Sequence, residues 1–438
     1  MIPATGNEAH EAREADEVVM AGTHGTGLPV AAWTLTRAVL LLCVFKIVSV
    51  PGPDVTGDVS VIYQGWYEVL RTGTYPLDDV TWQYPPAAAL PVLAPAVLPF
   101  LGYATAFFVL VFLCDAVAFA LLLRAARGTD RSPRGVWLWI AGVPLLGPTA
   151  YARYDLMVTA VAVAALLAGV RRPRLLGALA GFGALLKVWP VLLLVGTPRG
   201  RVTRGAWAAA AVTGAVLTVV CCVAMPGALA FLTFQRDRGT EIESLGALVF
   251  QVARHFGWSG SVLLNYGSVE FVGPYVPLVS TAALGLTALA FGWLLVWRLK
   301  ARGPGPGTVC DAGFTAVLLF TATSRVISPQ YMLWLIGLAT ACLTLRSSRM
   351  ALPAWLVLAA TGVTLLEFPL LFSHVVGGDP LGVTLLFLRN GLLVAASLTA
   401  CRRLWRATVP RPAGRAGNGA APAGVSPAAP ARTRASGR

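Results

Sequence analysis

Residues 151–198 read "YARYDLMVTAVAVAALLAGVRRPRLLGALAGFGALLKVWPVLLLVGTP". Two apolar runs, about 154–170 and 175–198, flank a basic knot of Arg171, Arg172 and Arg174. Apolar runs of this kind, joined by arginines, are the pattern of helices that cross a bilayer and turn at its cytoplasmic face. The second run has basic residues at both ends and Lys187-Val188-Trp189-Pro190 in its middle. It reads as a hairpin of two half-helices, because irregular backbone at membrane depth survives only where protein or water satisfies it. A lysine at that depth marks a functional position, or else is ion-paired or snorkelling.

Outward from this stretch the same grammar repeats. Of 438 residues, 56% are hydrophobic and 12% charged, half the roughly 25% charge of a soluble domain. Further apolar runs lie at about 29–50, 87–101, 104–123, 136–150, 205–225, 276–297, 309–324, 330–345, 351–373 and 381–401. Several are shorter than the ~20 residues of a perpendicular span, so about ten to twelve spans are expected. The fold class is an all-α polytopic membrane protein. Residues 1–28 are polar, without the apolar core of a cleavable signal, and residues 407–438 are rich in Pro, Ala, Gly and Arg. Both read as disordered cytoplasmic segments around a membrane domain at 29–406.

The net charge of +14 is not a nucleic-acid signal, since arginines collect between apolar runs and in the tail. Clusters at Arg124–Arg134, Arg171–Arg174, Arg199–Arg204, Arg298–Arg302, Arg346–Arg349 and Arg402–Arg406 mark the cytoplasmic side. The loops at 52–86 and 226–275, and the turns at 151–155, 324–331 and 373–380, then face outward. One step resists this count: an odd number of crossings must separate residue 86 from Arg124, yet two apolar runs fit there. Seven cysteines and four scattered histidines form no disulfide framework or zinc spacing.

The outward segments hold the unusual polar residues. The first loop carries Asp54, Asp58, Glu68, Asp78 and Asp79 against a single base, Arg71. The turns add Arg153, Asp155, Arg325, Ser328 and Gln330, and the long loop adds Arg236, Asp237, Arg238, Glu241, Glu243 and Ser244. Carboxylates converging on guanidiniums suit transfer of a group from a phosphate-linked donor: arginine holds the phosphate and a carboxylate acts as base. Because phosphate leaves as an anion, one carboxylate suffices, unlike the pair of a typical glycoside hydrolase.

The segments "GDVSVIYQGWYEVLRTGTYP", "WQYPP", "ARYDLMVTAVAVAALLAG", "GALLKVWPVLLL", "RDRGTEIESLGAL" and "SPQYMLWLIGL" occur in this order between residues 30 and 345. Together they resemble glycosyltransferase family 87, a polyprenyl-phosphate-sugar-dependent branch of the C-type, multi-span glycosyltransferases. The family includes actinobacterial mannosyltransferases, and the arginine bias, 31 Arg to 3 Lys, agrees with a GC-rich source of that kind. The resemblance implies a plasma-membrane enzyme with extracytoplasmic loop helices. It implies a polyprenyl-phosphate-linked hexose, mannose first, as donor and a lipid-anchored glycan as acceptor. The family's base follows the first span, which points to Asp58 of Asp58-x-x-x-x-Tyr63, with Asp54 as fallback. Arg236, Arg238 and Lys187 would meet the donor phosphate; Arg153, Asp155, Glu243, Gln330 and Tyr63 would line the substrate pocket. No cofactor is expected: a divalent ion near Asp58 and Asp155 is allowed by neighbouring branches, but no ligand set demands one. Gln330-Tyr331 stands where the mycobacterial branch has a His pair, and an amide cannot relay a proton as imidazole does. That branch's sugar and acceptor are therefore not transferred.

Plainer readings stand beside these. Arg153 and Asp155 form an intraloop ion pair; Asp54, Asp78 and Asp79 cap or turn the backbone. Tyr63, Trp66, Tyr67 and Trp82 anchor at the interface. The acids and bases around 236–244 pair along a loop helix. His255 and His374 stand without partners. The competing class is a transporter or flippase, which shares broken helices and an intramembrane lysine. Transporters often repeat their halves, and here the 226–275 loop has no counterpart in the first half.

Overall fold

The computed structural model describes residues 26–234, 239–265, 267–302, 305 and 307–410. The first 25 residues, the tail beyond 410, and Arg236 and Arg238 fall outside them. The chain is an all-α membrane bundle. Helix α1 (Thr26–Val44) leads into the first loop, where a π-helical turn, Asp58–Tyr63, runs into α2 (Gln64–Leu70). Helix α3 (Pro86–Val97) follows, with 3-10 turns at both ends around Pro86 and Pro95, which lack backbone donors. It would be roughly 18 Å long even as a regular helix, too short to cross. Tyr75 Oη donates to Pro86 O (2.9 Å) at its start and Tyr103 Oη to Val92 O (3.0 Å) near its end. Helix α4 (Tyr103–Ala125), which follows, is long and apolar enough to cross a bilayer.

Helix α5 (Arg134–Gly142) and a kinked segment, Pro144–Ala150, lead to the 151–154 turn and α6 (Asp155–Gly169). Helix α7 (Pro173–Leu186) then rises to Lys187, whose backbone is extended, and the 3-10 segment Trp189–Gly196 descends again. This is the broken hairpin read from the sequence, with Lys187 at its tip. Helix α8 (Arg201–Ala224) packs on α7 through Gly177 and Gly181 facing Ala206 and Ala210. A Cβ on Gly177 would lie 2.0 Å from the Ala206 carbonyl oxygen, so the two backbones touch, as small-xxx-small interfaces in membranes allow.

The long loop holds α9 (Phe231–Phe234), β1 (Thr240–Glu241), α10 (Ala247–Ala253), β2 (Ser261–Asn265) and β3 (Ser268–Val272). The strands form an antiparallel sheet in the order β1-β3-β2, with Asn265 opposite Ser268 at the hairpin turn. Where it is described, the expected loop helix around 236–244 is instead the two-residue strand Thr240–Glu241 followed by a turn. The β-branched and aromatic alternation of "SVEFV" supplies β3, whose pairing draws in Thr240 and Glu241. Then come α11 (Val276–Lys300), α12 (Thr308–Thr323), α13 (Tyr331–Leu343), α14 (Ala351–Leu370), α15 (Phe372–Gly377) and α16 (Pro380–Thr408).

Among the described residues, α1, α4, α8, α11, α14 and α16 are long and apolar enough to cross a bilayer; α3, α6, α7, α12 and α13 are apolar but shorter. Of the short ones, α6, α12 and α13 lie mostly inside. Every residue of α13 from Met332 to Leu343 is buried, whereas most of α8 and α11 faces outward. The interior helices are short because they stop at the floor of a cavity.

The arginine clusters meet at one end of the bundle. Arg346 Nε donates to Arg131 O (2.8 Å), Arg403 to Arg349 O (2.8 Å) and Arg298 to Thr197 O (3.0 Å). The polar loops meet at the other end, through Tyr75 N to Pro226 O (3.2 Å), Glu241 N to Arg325 O (3.0 Å) and Arg254 to the carbonyls of Val376 and Gly377 (2.9 Å each). Between them lies a buried polar hub. Asp115 of α4 accepts from Arg37 Nε (2.7 Å), Trp33 Nε1 (3.3 Å), Trp139 Nε1 (2.6 Å) and Tyr151 Oη (2.7 Å).

Candidate active site

At the loop end a cavity of about 660 Å³ opens between the first loop, the α7 hairpin tip, the long loop and the 324–331 turn. Asp58, Tyr84, Arg153, Lys187, Trp189, Glu241, Glu243, Arg325, Gln330 and Trp334 all line it. Its size falls in the ~300–1,000 Å³ range of small-molecule sites. Leu232, Leu264, Leu284 and Phe320 add apolar lining.

Asp58 begins the π-helical turn. Asp54 sets up that turn: its Oδ1 accepts from Thr56 N (3.0 Å) and Thr56 Oγ1 (2.7 Å). Asp54 also pairs with Lys46 (2.7 Å), which helps hold its carboxyl below the usual range. Asp54 thus shapes the turn, and it also lines the cavity. Asp58 Oδ2 pairs with Arg153 Nη2 at 2.5 Å, and its side chain is 37% exposed.

Arg153 and Asp155 do not pair with each other. Asp155, 1% exposed, pairs with Lys187 (Nζ to Oδ1, 2.6 Å) and accepts from Trp334 Nε1 (2.7 Å). It stands behind the cavity wall and fixes Lys187. Around Lys187 Nζ stand the rings of Tyr84, Tyr154, Tyr331 and Trp334, with centroids at 5.3, 5.3, 5.7 and 5.1 Å. Trp334 also stacks on Tyr331 at 3.8 Å and on Trp189 at 5.3 Å. Lys187 is thus held between the Asp155 carboxylate, which balances its charge, and four ring faces, which attract it.

Other expected residues fall elsewhere. Tyr63 is buried behind the wall, against Trp66, Phe107 and Tyr154, with its hydroxyl unpartnered among the described residues. Trp66 and Trp82 are buried too, so these rings are a packed core under the loop rather than interfacial anchors, while Tyr67 is half-buried against Tyr103. Asp79 accepts from Thr81 N (2.8 Å) and Trp66 Nε1 (2.8 Å), a turn-forming role. His374 is not alone: its Nδ1 contacts Asp379, whose carboxyl is lowered by the Gly382 N–H and by that imidazole. Glu241 takes the Ile327 N–H (2.5 Å) and the Ser328 hydroxyl (3.0 Å). The expected phosphate ligands Arg236 and Arg238 lie outside the described residues, just before β1. Among the described residues no three His, Cys, Asp or Glu side chains gather to hold a metal ion.

Four residues escaped the sequence reading although a signal was present. Arg37, Asp115, Glu367 and Arg389 are charges inside apolar runs, and a charge inside a span is by default structural or functional. Arg389 lies 3.0 Å from Glu367 and donates to the Glu243 carbonyl at 2.8 Å, tying the long loop to α14 and α16.

The profile of glycosyltransferase family 87 matches residues 82–329, more than half of the chain. Arg153, Lys187, Glu241, Glu243 and Arg325 lie within the match; Asp58 precedes it and Gln330 follows it directly. Among curated proteins and among solved structures, none matches. A polytopic bundle whose cavity gathers those polar residues, matched over most of its membrane domain, belongs to glycosyltransferase family 87 and is a membrane glycosyltransferase.

Proposed function

We propose that the protein moves a hexose, mannose first, from a polyprenyl-phosphate donor to a membrane-anchored glycan or glycolipid on the extracytoplasmic side of the plasma membrane. The observation that carries this reading is the placement of Asp58, a carboxylate fixed by Arg153 on the wall of a cavity whose lining also includes Lys187, Arg325 and several apolar residues. The arginine clusters at the opposite end of the bundle favour an outward-facing cavity.

In this mechanism Asp58 Oδ1 takes the proton of the acceptor hydroxyl as its oxygen attacks the anomeric carbon. The new C–O bond forms while the bond from that carbon to the phosphate oxygen breaks. The phosphate leaves as a monoester anion and needs no acid. Lys187, with Arg236 and Arg238 of the long loop, meets that charge. The displacement is single-step and inverts the anomeric centre, so a β-linked donor gives an α-linked product. The apolar lining suits a donor whose tail stays in lipid.

Purified protein in lipid, given radiolabelled polyprenyl-phosphate mannose and a membrane-glycolipid pool, tests the reading. Transfer of label supports it. Transfer from polyprenyl-phosphate glucose or arabinose instead changes the sugar. No transfer from any of the three, with donor flipping across the bilayer, turns the reading to transport.

A further inference from the structure

Glu243 stands where three elements meet. Arg389 and Asn390 of α16 donate to its carbonyl oxygen at 2.8 and 3.3 Å, which fixes its backbone against the bundle. Its side chain is held less firmly. The nearest cation is Arg389 Nη2, 3.8 Å from Glu243 Oε1, and Glu367 of α14 has the closer claim, 3.0 Å from Arg389 Nε. Glu241 of β1 brings a third carboxyl, which already accepts from Ile327 N–H and Ser328.

Glu243 and Glu367, at most 4% exposed, share the buried guanidinium of Arg389 among the described residues. Burying that much unbalanced negative charge is costly, and a carboxyl in such a place takes a proton instead. The proton belongs on the acid with the weakest ion pair and no donor. Both acids have buried oxygens without a hydrogen-bond partner among the described residues, but Glu243 has the longer ion pair, 3.8 Å against 3.0 Å, and it lines the cavity.

We propose that Glu243 reads a hydroxyl of the bound sugar as a neutral carboxylic acid, donating through its O–H and accepting through its other oxygen. The inference rests on the sugar-transfer reading above and adds a specificity-determining residue to it. A protonated carboxyl offers one donor and an acceptor, the complement of a hydroxyl. A site built to pair a substrate hydroxyl rejects analogues that lack it far better than an apolar wall can. Burial pushes the Glu243 carboxyl well above the usual carboxylate range; neighbouring Glu241 and Glu367 push it the same way, against Arg389.

Two measurements test this. The first needs no substrate: infrared difference spectra of wild type minus Glu243→Gln, in lipid at neutral pH. A carbonyl band of a protonated carboxylic acid is expected, and the paired bands of a carboxylate in its place overturn the inference. The second titrates polyprenyl-phosphate mannose by tryptophan fluorescence, since Trp189 and Trp334 line the cavity. Donor Kd is expected to rise about tenfold in Glu243→Ala and about threefold in Glu243→Gln. It should climb with pH in wild type as Glu243 ionises and stay flat in Glu243→Gln. Unchanged affinity in Glu243→Ala, or a Gln variant as weak as Ala, overturns the inference. If Glu243→Ala does not fold, the pH comparison between wild type and Glu243→Gln decides. A protonated-acid band in a protein that binds none of the polyprenyl-phosphate sugars overturns the sugar-transfer reading and, with it, the hydroxyl-reading role.

Discussion

Arg153 Nη2 lies 2.5 Å from Asp58 Oδ2, while its Nη1 donates to the carbonyls of Ala152 (2.8 Å) and Val55 (3.2 Å). One guanidinium therefore ties the first loop to the 151–154 turn and aims the carboxylate. A lysine has the charge without the fork and cannot make all three contacts. Arg153→Ala is expected to lower the transfer rate about a hundredfold, the scale of a misplaced catalytic group, and Arg153→Lys to recover only part of it. Initial rates at saturating donor check this; a Lys variant equal to wild type would show that charge alone matters.

The Asp115 hub supports that aim from below. Tyr151, which donates to Asp115 Oδ2 at 2.7 Å, is two residues before Arg153 in the same turn. Asp115→Asn leaves Arg37 buried and without its counter-charge, which costs about 3–5 kcal/mol. The double variant Arg37→Met/Asp115→Leu removes both charges and is expected to regain most of that loss. Unfolding in lipid or mild detergent measures both. A single variant within about 1 kcal/mol of wild type would show that the hub is not the anchor it is here taken to be.

Much of this was legible in the sequence, and the rest has physical reasons for being hidden. The hairpin with Lys187 at its tip followed from its flanking arginines and central Pro190. The loops bearing Asp58, Arg153 and Glu243 were identified because charge is scarce elsewhere. Partnerships were not legible. Arg153 and Asp155, two apart in sequence, look like a pair, yet each faces a residue from a different segment, because side chains two apart at the start of a helix diverge. Asp115 and Arg389 were hidden inside runs read only for length and hydropathy. Tyr63 and Trp66 were read as interfacial rings because aromatics in membrane loops usually are, whereas here they pack under a folded loop.

Close packing of α7 on α8 positions the hairpin that carries Lys187. Gly177→Ala places a methyl group 2.0 Å from a backbone oxygen that cannot swing away. It is expected to lower stability by about 1–3 kcal/mol. Gly214, on α8 with open space around it, is the control: Gly214→Ala is expected to be neutral or slightly stabilising through helix propensity. Equal melting temperatures for the two variants would contradict the close approach.

Glu243 gives stability a pH dependence whose sign is fixed. Its carboxyl is raised in the folded protein, chiefly by burial. The contribution is therefore fully present below the unfolded value of about 4.3 and is lost as pH rises toward the folded value. Glu243→Gln has no such proton to lose. The melting temperature of Glu243→Gln minus that of wild type is expected to increase steadily with pH above that point. A difference that shrinks with pH would mean that the carboxylate form is the stabilised one.

The central claim is that Asp58 removes the acceptor proton. Asp58→Asn keeps the shape of the side chain and loses the base. The most direct measurement is single-turnover transfer from radiolabelled polyprenyl-phosphate mannose by wild type and Asp58→Asn in lipid, with donor binding measured in parallel. The account predicts transfer by wild type, loss of about a thousandfold or more in Asp58→Asn, and donor affinity within a few-fold of wild type. Full transfer by Asp58→Asn would contradict it.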